Sequence, residues 1–441
     1  MIVSEEFKEL KTLVPEQQIE EKGEEQTLFG NEGRVAVYPK TEQEIVSVLT
    51  YANDNGKSVT VAGRGTKKAF GGVIAQSDLL LSLENYTGII EHTVGNMTLT
   101  VRAGTRFQDI QDYLAAHKQM IPLDPFWPDS ATIGGIVAAN DSGPKRLGYG
   151  SARDAVIGMK LIYPDGRVIR AGGKVVKNVA GYDMNKLFIG SMGTLAVISE
   201  ITFKLSPIPK EQSLILLAFA QEQLEEVRKF AVRFLDSALE PVALELFNPT
   251  LAKAMTRNER YTLAISFEDV KSSVRYQEEF TKQLKPAGAE PRVLAGEDAR
   301  NFWKRFYELP PNGLGQPEEH ETEAILKIGV KNLDVLQVIR SCHMLEESHH
   351  IEVAAHGGLG HGLSQVVLKG AAKNVITAID AIQQAVTALS GYVIVKHIPL
   401  SIRKNISVWG EEPSYFFLLE GMKAKIDPNK ILNPKRFVGG M

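Results

Sequence analysis

Two glycine-punctuated segments carry the plainest chemistry in this sequence: VTVAGRGTKKAFGG (Val59–Gly72) and DSATIGGIVAANDSGPKRLGYG (Asp129–Gly150). Ordering glycine costs more conformational entropy than ordering any other residue, so a cluster of it needs a reason; positive φ and close approach of a ligand to main chain are two. In the first segment Gly63, Gly65, Gly71 and Gly72 flank Arg64, Thr66, Lys67 and Lys68. A strand ending in such a turn presents successive N–H groups as an anion nest suited to a pyrophosphate. The spacing matches neither the G-x-x-x-x-G-K-[ST] P-loop nor the G-x-G-x-x-G Rossmann turn. In the second segment Thr132-Ile133-Gly134-Gly135 sets two bare positions beside a hydroxyl, and Ala138-Ala139-Asn140 continues with small residues. A flat ring system can lie on such backbone, with Thr132, Asn140 and Ser142 offering hydrogen bonds to its polar edge. Alone, the first segment also reads as a Gly-rich hairpin with solvated lysines, and the second as a helix start packed closely on a sheet. Together, and followed by KVVKNVAGYDMNKLFIGSMGTLAVISE (Lys174–Glu200), they point to a large anionic cofactor held by main chain.

The elements that must position these segments are legible around them. Thr41 and Glu44 form a T-x-x-E capping box, Ile45, Val48, Leu49 and Ala52 share one face, and Gly56 ends the helix. Strand Ser58–Val61 then feeds straight into the first glycine loop. A similar unit follows, strand Leu99–Arg102 and a helix over Phe107–His117, with Thr105 and Gln108 as a second capping box. Val156–Tyr163, a Pro164–Gly166 turn, Val168–Ala171 and Leu195–Leu205 read as strands, with Ile201, Phe203 and Leu205 alternating. SPIPKEQS (Ser206–Ser213) is a boundary. Beyond it, strand-like stretches (Leu214–Ala218, Val242–Phe247, Thr262–Phe267, Ala324–Val330, Glu352–Ala355, Val366–Lys369, Tyr392–Lys396) alternate with helical ones (Gln223–Leu235, Val270–Leu284, Leu333–Glu346, Ala372–Leu389). That alternation indicates an α+β cap built on one sheet.

At 441 residues the chain exceeds one core and suits two or three domains. A net charge of −3 gives no reason to expect nucleic acid or an acidic membrane as partner. No apolar run approaches the ~20 residues of a spanning helix. The acidic, amphipathic start is unlike a signal peptide, so the expected location is cytoplasmic, with any membrane association made peripherally through partners. A single cysteine, Cys342, can form no internal disulfide and hold no iron–sulfur cluster. If the protein moves electrons, an organic cofactor must carry them.

The motif order VAGRGTKKAFGG, PDSATIGGIVAANDSG, YGSARDAVIGMKLIYPDG, KNVAGYDMNKLFIGSMGTLAVISEITFKL and KIDPNKILNPKRF resembles the FAD-linked oxidases of the vanillyl-alcohol oxidase (PCMH) type. Within them it is most similar to the FAD-binding subunits of bacterial glycolate oxidase. The resemblance is dense over Arg34–Leu205 and returns in the last residues; it is loose between. It implies an α+β chain: a helical leader (1–28), a two-subdomain FAD-binding domain (29–207), an α+β cap with an antiparallel sheet (208–400), and a C-terminal extension returning to the flavin domain (401–441). It implies that Gly63, Arg64, Gly65, Thr66 and Lys67, with Gly72, hold the FAD pyrophosphate. Asp129, Thr132, Gly134, Gly135, Asn140, Ser142 and Gly143 would line the flavin and ribityl chain. Main chain around Ile198 would meet the adenine end, and Asn433 would return near the isoalloxazine. Some relatives tether flavin through a histidine in the first loop; Thr66 stands there, so a non-covalent FAD is expected.

On the substrate side the sequence departs from the family. Relatives that oxidise D-2-hydroxyacids carry a segment resembling H-A-G-D-G-N-L-H and a later Glu-His-Gly, whose histidines and glutamate bind a divalent metal and whose last histidine is the base. This chain has HGGLGHGL (His356–Leu363) and Lys396-His397-Ile398. His356 matches a ligand, but Leu359, His361 and Leu363 replace aspartate, asparagine and histidine, and Lys396 replaces glutamate. Leucine cannot ligate and lysine adds a positive charge, so no metal site is expected. His397 keeps the position of the base and is the candidate catalytic residue, with Lys396 available to bind a carboxylate. The resemblance thus implies an FAD-binding subunit of a glycolate-oxidase-like 2-hydroxyacid dehydrogenase. Such a subunit works beside a second flavin subunit and an iron–sulfur subunit. A stand-alone FAD-dependent oxidoreductase for another hydroxyacid or alcohol, and a non-catalytic structural flavin-binding subunit, are the alternatives.

Overall fold

The computed structural model describes residues 5–22, 27–174, 182–286 and 288–441, so 175–181 of the third motif and 1–4 and 23–26 of the leader lie outside the described residues. Near the N-terminus β1 (Ile19–Glu21), β2 (Glu32–Val37), β3 (Val59–Ala62) and β4 (Gln76–Ser82) form a sheet in the order β1-β2-β4-β3, with β2, β4 and β3 parallel. The helix Glu42–Asp54 makes the crossover. Its capping box forms as the sequence predicts: Glu44 N–H donates to Thr41 Oγ1 at 3.2 Å, and Thr41 N–H to Glu44 Oε2 at 3.1 Å. Ile45, Val48, Leu49 and Ala52 are fully buried beneath it.

A second, antiparallel sheet follows. Its strands β5 (Ile89–Thr93) and β6 (Thr98–Arg102) precede the short β7 (Gln119–Met120); β8 (Val156–Ile162), β9 (Val168–Gly172) and β10 (Val197–Lys204) complete the order β5-β6-β10-β8-β9. β11 (Ser206–Pro207) pairs with β7. Ile201, Phe203 and Leu205 are buried, as their alternation requires. The helix Phe107–Ala115 lacks the expected Thr105/Gln108 box. Thr105 instead donates its hydroxyl to Arg102 O and accepts Gly88 N–H. The free N–H groups of Phe107 and Gln108 are satisfied by Ala131 O and Pro128 O of the second glycine segment, so tertiary contacts replace the local cap.

The remaining strands form an eight-stranded antiparallel sheet: β12 (Glu211–Phe219), β13 (Ala243–Phe247), β14 (Tyr261–Asp269), β15 (Pro291–Ala295), β16 (Thr322–Gly329), β17 (Glu352–Gly358), β18 (Leu363–Gly370) and β19 (Tyr392–His397), in the order β15-β12-β14-β13-β17-β18-β16-β19. Both faces are covered. Ile215, Leu217, Leu263, Ile265, Leu326 and Ile328 pack under the helices Leu224–Leu235, Val335–His349 and Ala372–Ala388. Leu214, Leu216, Ala264 and Ile325 turn the other way, toward Phe126, Trp127, Phe302, Trp303 and Phe306. The helices Pro249–Thr256 and Glu297–Glu308 and the edge strand β15 are absent from the sequence reading. β15 begins with proline and stands mostly exposed, which suits an edge.

Cys342 lies buried in the helix Val335–His349, its thiol pushed up to about 12 by burial alone. The chain's end returns to β3: Val59 N–H donates to Ile431 O, and Asn433 N–H to Val59 O, both at 2.8 Å.

Candidate active site

The two glycine segments meet directly. A Cβ on Gly63 would stand 2.0 Å from Thr132 Oγ1, so only glycine lets the end of β3 lie on the TIGG turn. Gly65 sits at φ +84°, a conformation L side chains rarely adopt, and this turns the loop outward from the strand. Between the segments runs a narrow cavity of about 90 Å³, lined by 63–68, Thr132, Gly134, Gly135, Met192 and Ile198. Lys67 Nζ is buried there without a hydrogen bond, 3.4 Å from Asp141 Oδ2, and burial lowers its pKa. Bare backbone plus an unsatisfied ammonium fits the pyrophosphate of FAD, and Gly63–Lys67 are the residues that would hold it.

Two arginines that the sequence reading missed hold this loop from behind. Arg403 is fully buried and donates to Gly72 O (2.7 Å), Ala69 O (2.8 Å), Ile398 O (3.1 Å) and Phe29 O. Arg436 donates to Phe70 O at 3.3 Å and Lys67 O at 3.1 Å. Arg403 lies in no recognisable motif, whereas Arg436 belongs to the ILNPKRF stretch near the chain's end.

The other expected cofactor residues divide. Gly72 faces Asn31 and gives its carbonyl to Arg403, outside the cavity. Asp129 is solvent-facing, 3.9 Å from Lys304. Asn433 clamps β3 to the 192 loop, accepting Val61 N–H and donating to Met192 O, both at 2.9 Å. Asn140, Ser142 and Gly143 line a second cavity of about 350 Å³, which meets the first at Ala139 and Met192.

One wall of this second cavity is the face of the large sheet. Phe247, His356, Gln365, Lys327 and Ile394 are cross-strand partners in a row over β13, β17, β18, β16 and β19, and paired residues point to one face. Glu245, two residues from Phe247, joins them; its Oε2 accepts His356 Nδ1–H at 2.8 Å and its Oε1 lies 3.2 Å from His361 Nε2. Burial pushes the Glu245 carboxyl up, and the two imidazoles together bring it below its ordinary value. Asp141 accepts from Lys396 Nζ at 2.9 Å. Burial opposes its charge too, but Lys396 and Lys67 hold it well below the usual carboxylate range. The family's metal ligands do not assemble here. Leu359 is buried as core, Leu363 lines the cavity, and Lys396 brings an ammonium group. Among the described residues no cluster of three or more His, Cys, Asp or Glu side chains could hold a metal ion.

β19 carries a bulge: Leu326 faces Val395 and Ile325 faces His397, leaving Lys396 as the extra residue. Lys396 lines the second cavity together with Ile394, two residues before it on the same face. His397, expected as the base, lines neither cavity; its ring packs 4.7 Å from that of Phe29 beside Arg403. Burial, then the Arg403 charge, lowers its pKa from 6.5 to about 3, so it is a neutral interior imidazole. Its folded pKa is depressed, so the stability it contributes is complete above pH 6.5 and is lost as pH falls toward about 3. The group should account for about 2–3 kcal/mol of lost stability by about pH 4.5. Urea unfolding at both pH values should show that much less acid sensitivity in His397→Gln; an identical decline would deny the neutral, buried state.

Comparison with known proteins agrees with this geometry. Residues 34–172 match the family described as "FAD binding domain". The chain is 27% identical to D-lactate dehydrogenase of Archaeoglobus fulgidus over 92% of each chain. It is 24% identical to glycolate oxidase subunit GlcD of Bacillus subtilis, over 90% of this chain and 87% of that one. Its fold superposes on p-cresol methylhydroxylase with a TM-score of 0.76 at 14% identity (99% and 97% of the two chains). On 4-ethylphenol oxidase from Gulosibacter chungangensis the TM-score is 0.77 at 13% identity (99% and 98%). With an FAD-binding domain over 34–172 and relatives aligned nearly end to end, this chain is an FAD-dependent oxidoreductase acting on CH–OH groups.

Proposed function

We propose that the protein is the FAD-binding subunit of a glycolate-oxidase-like dehydrogenase for a small 2-hydroxyacid, passing electrons to a partner. The observation that supports this reading is that the two cavities share Ala139 and Met192 in their walls, setting the glycine-lined cleft beside a chamber that carries Lys327 and Lys396. FAD, when bound, supplies the hydride acceptor. The chain's own residues do the rest: Gly63–Lys67 bind the diphosphate, Gly134 and Gly135 leave room for the ring system, and Lys67 and Asp141 set the charge between the cavities. With one cysteine the chain has no means of holding an iron–sulfur cluster, so any iron–sulfur relay lies in a partner subunit. The missing metal ligands suggest a second flavin subunit that has them. Among the described residues no helix is long and apolar enough to cross a membrane.

The test is anaerobic bleaching of the yellow protein by glycolate or D-lactate, alone and coexpressed with its genomic neighbours. Bleaching only with the neighbours present supports the subunit reading; bleaching of the isolated chain supports a stand-alone enzyme. A yellow protein inert in both settings would leave a structural flavin subunit. Because Thr66 stands where a tether would be, acid precipitation should release all the flavin into the supernatant. Colour retained in the pellet would refute non-covalent binding.

A further inference from the structure

The second cavity brings two ammonium groups, Lys327 and Lys396, to its wall beside Asp141. Asp141 is the carboxylate they share, and Lys67 of the first cavity draws on it as well. Lys396 gives two hydrogen bonds, to Asp141 Oδ1 at 2.9 Å and Gln365 Oε1 at 3.3 Å, and has a third to give. Lys327 Nζ makes no hydrogen bond or salt bridge among the described residues, and burial together with the Lys396 charge pushes it down to about 8. Glu245, in the same lining, keeps its negative charge but is engaged with His356 and His361, 2.8 and 3.2 Å away. A cation without a partner in a half-buried site is costly, and a cavity of about 350 Å³ with Lys327 unpaired and Lys396 holding a spare N–H suits a small anion. Asn140 Oδ1 and Ser364 Oγ are also buried without partners in the same lining, which offers sites for a neutral hydroxyl beside the charge.

We propose that this cavity binds the carboxylate of a small organic acid through the ammonium groups of Lys396 and Lys327, with no metal ion between protein and ligand. Lys396 shares its face of β19 with Ile394, the partner of Lys327, and this brings the two ammonium groups to one wall. Two ammonium groups side by side neutralise a carboxylate as a divalent cation would, without needing carboxylate or imidazole ligands of their own. The choice of a hydroxyacid as the natural ligand rests on the function proposed above; carboxylate binding does not.

The experiment is calorimetric titration of the FAD-loaded protein with oxalate after exhaustive dialysis against EDTA, beside Lys396→Met, Lys327→Met and the corresponding arginine variants. Oxalate should bind without added metal, each methionine variant should weaken it at least about 10-fold, and the arginine variants should stay close to wild type. Lys327→Met is the safer test because Lys327 supports no hydrogen bond in the fold; flavin content and the thermal transition check each variant. Binding that appears only after a divalent cation is added overturns the proposal. So does oxalate affinity unmoved by either methionine substitution, or absent altogether. The two readings fail separately. Oxalate bound through the lysines with no bleaching by any hydroxyacid keeps the site and removes the dehydrogenase; bleaching with lysine-independent oxalate binding does the reverse.

Discussion

Arg403→Met should lose its flavin and about 3–5 kcal/mol of stability, although residue 403 lines neither cavity. The side chain is fully buried, and its planar fork satisfies carbonyls from three separate parts of the chain: Phe29, the Ala69–Gly72 end of the first glycine loop, and Ile398 just past β19. Methionine fills similar volume but leaves those oxygens desolvated and unpaired, and each such group costs about 1–3 kcal/mol. Because two of the acceptors belong to the first loop, the turn that carries Gly65 and Lys67 loses its backing, and flavin retention should fall with stability. Lysine at 403 should be intermediate, since a point ammonium cannot span acceptors arranged around a fork. Flavin-to-protein ratio and the urea midpoint measure both effects. An unchanged midpoint would mean that water replaces the guanidinium, and the loop would then not depend on it.

What could be read ahead of the structure follows the range of the interactions involved. The helix Glu42–Asp54, with its capping box and buried stripe, is written in a short local pattern, and so is the alternation of β10. The glycines at 63 and 134 were conspicuous because no local rule explains them, and their reasons are tertiary contacts, Gly63 with Thr132 and Gly134 with Ala103. The Thr105/Gln108 box failed for the opposite reason: a correct local signal lost to hydrogen bonds from a segment distant in sequence. Arg403, Lys327 and Glu245 were invisible because nothing near them in the chain distinguishes a buried charge from a solvated one. Lys396 was noticed only as a departure from its relatives. It shares the cavity face with Ile394 by simple alternation, but which face of β19 meets the cavity is set by the order of the whole sheet and not by local sequence.

Asp141→Asn should separate stability from ligand affinity, moving them in opposite directions. The native carboxylate sits between two buried ammonium groups, 2.9 Å from Lys396 and 3.4 Å from Lys67. Asparagine keeps the shape but removes the only negative charge the pair shares, and breaking a buried pair from one side costs about 3–5 kcal/mol. Lys67, whose pKa burial already lowers, escapes that penalty only by giving up its proton, so the deficit should shrink as pH rises. The same substitution removes the internal competitor for Lys396. Oxalate should therefore bind about 10-fold tighter to the variant than to the native protein, and saturating oxalate should return part of the lost stability. Urea midpoints with and without oxalate, at two pH values, give all three quantities. If the variant is as stable as the native protein and binds oxalate no better, then the lysines are already neutral in the folded state, and the cavity is not the cation-lined chamber from which both its anion and its chemistry have been argued.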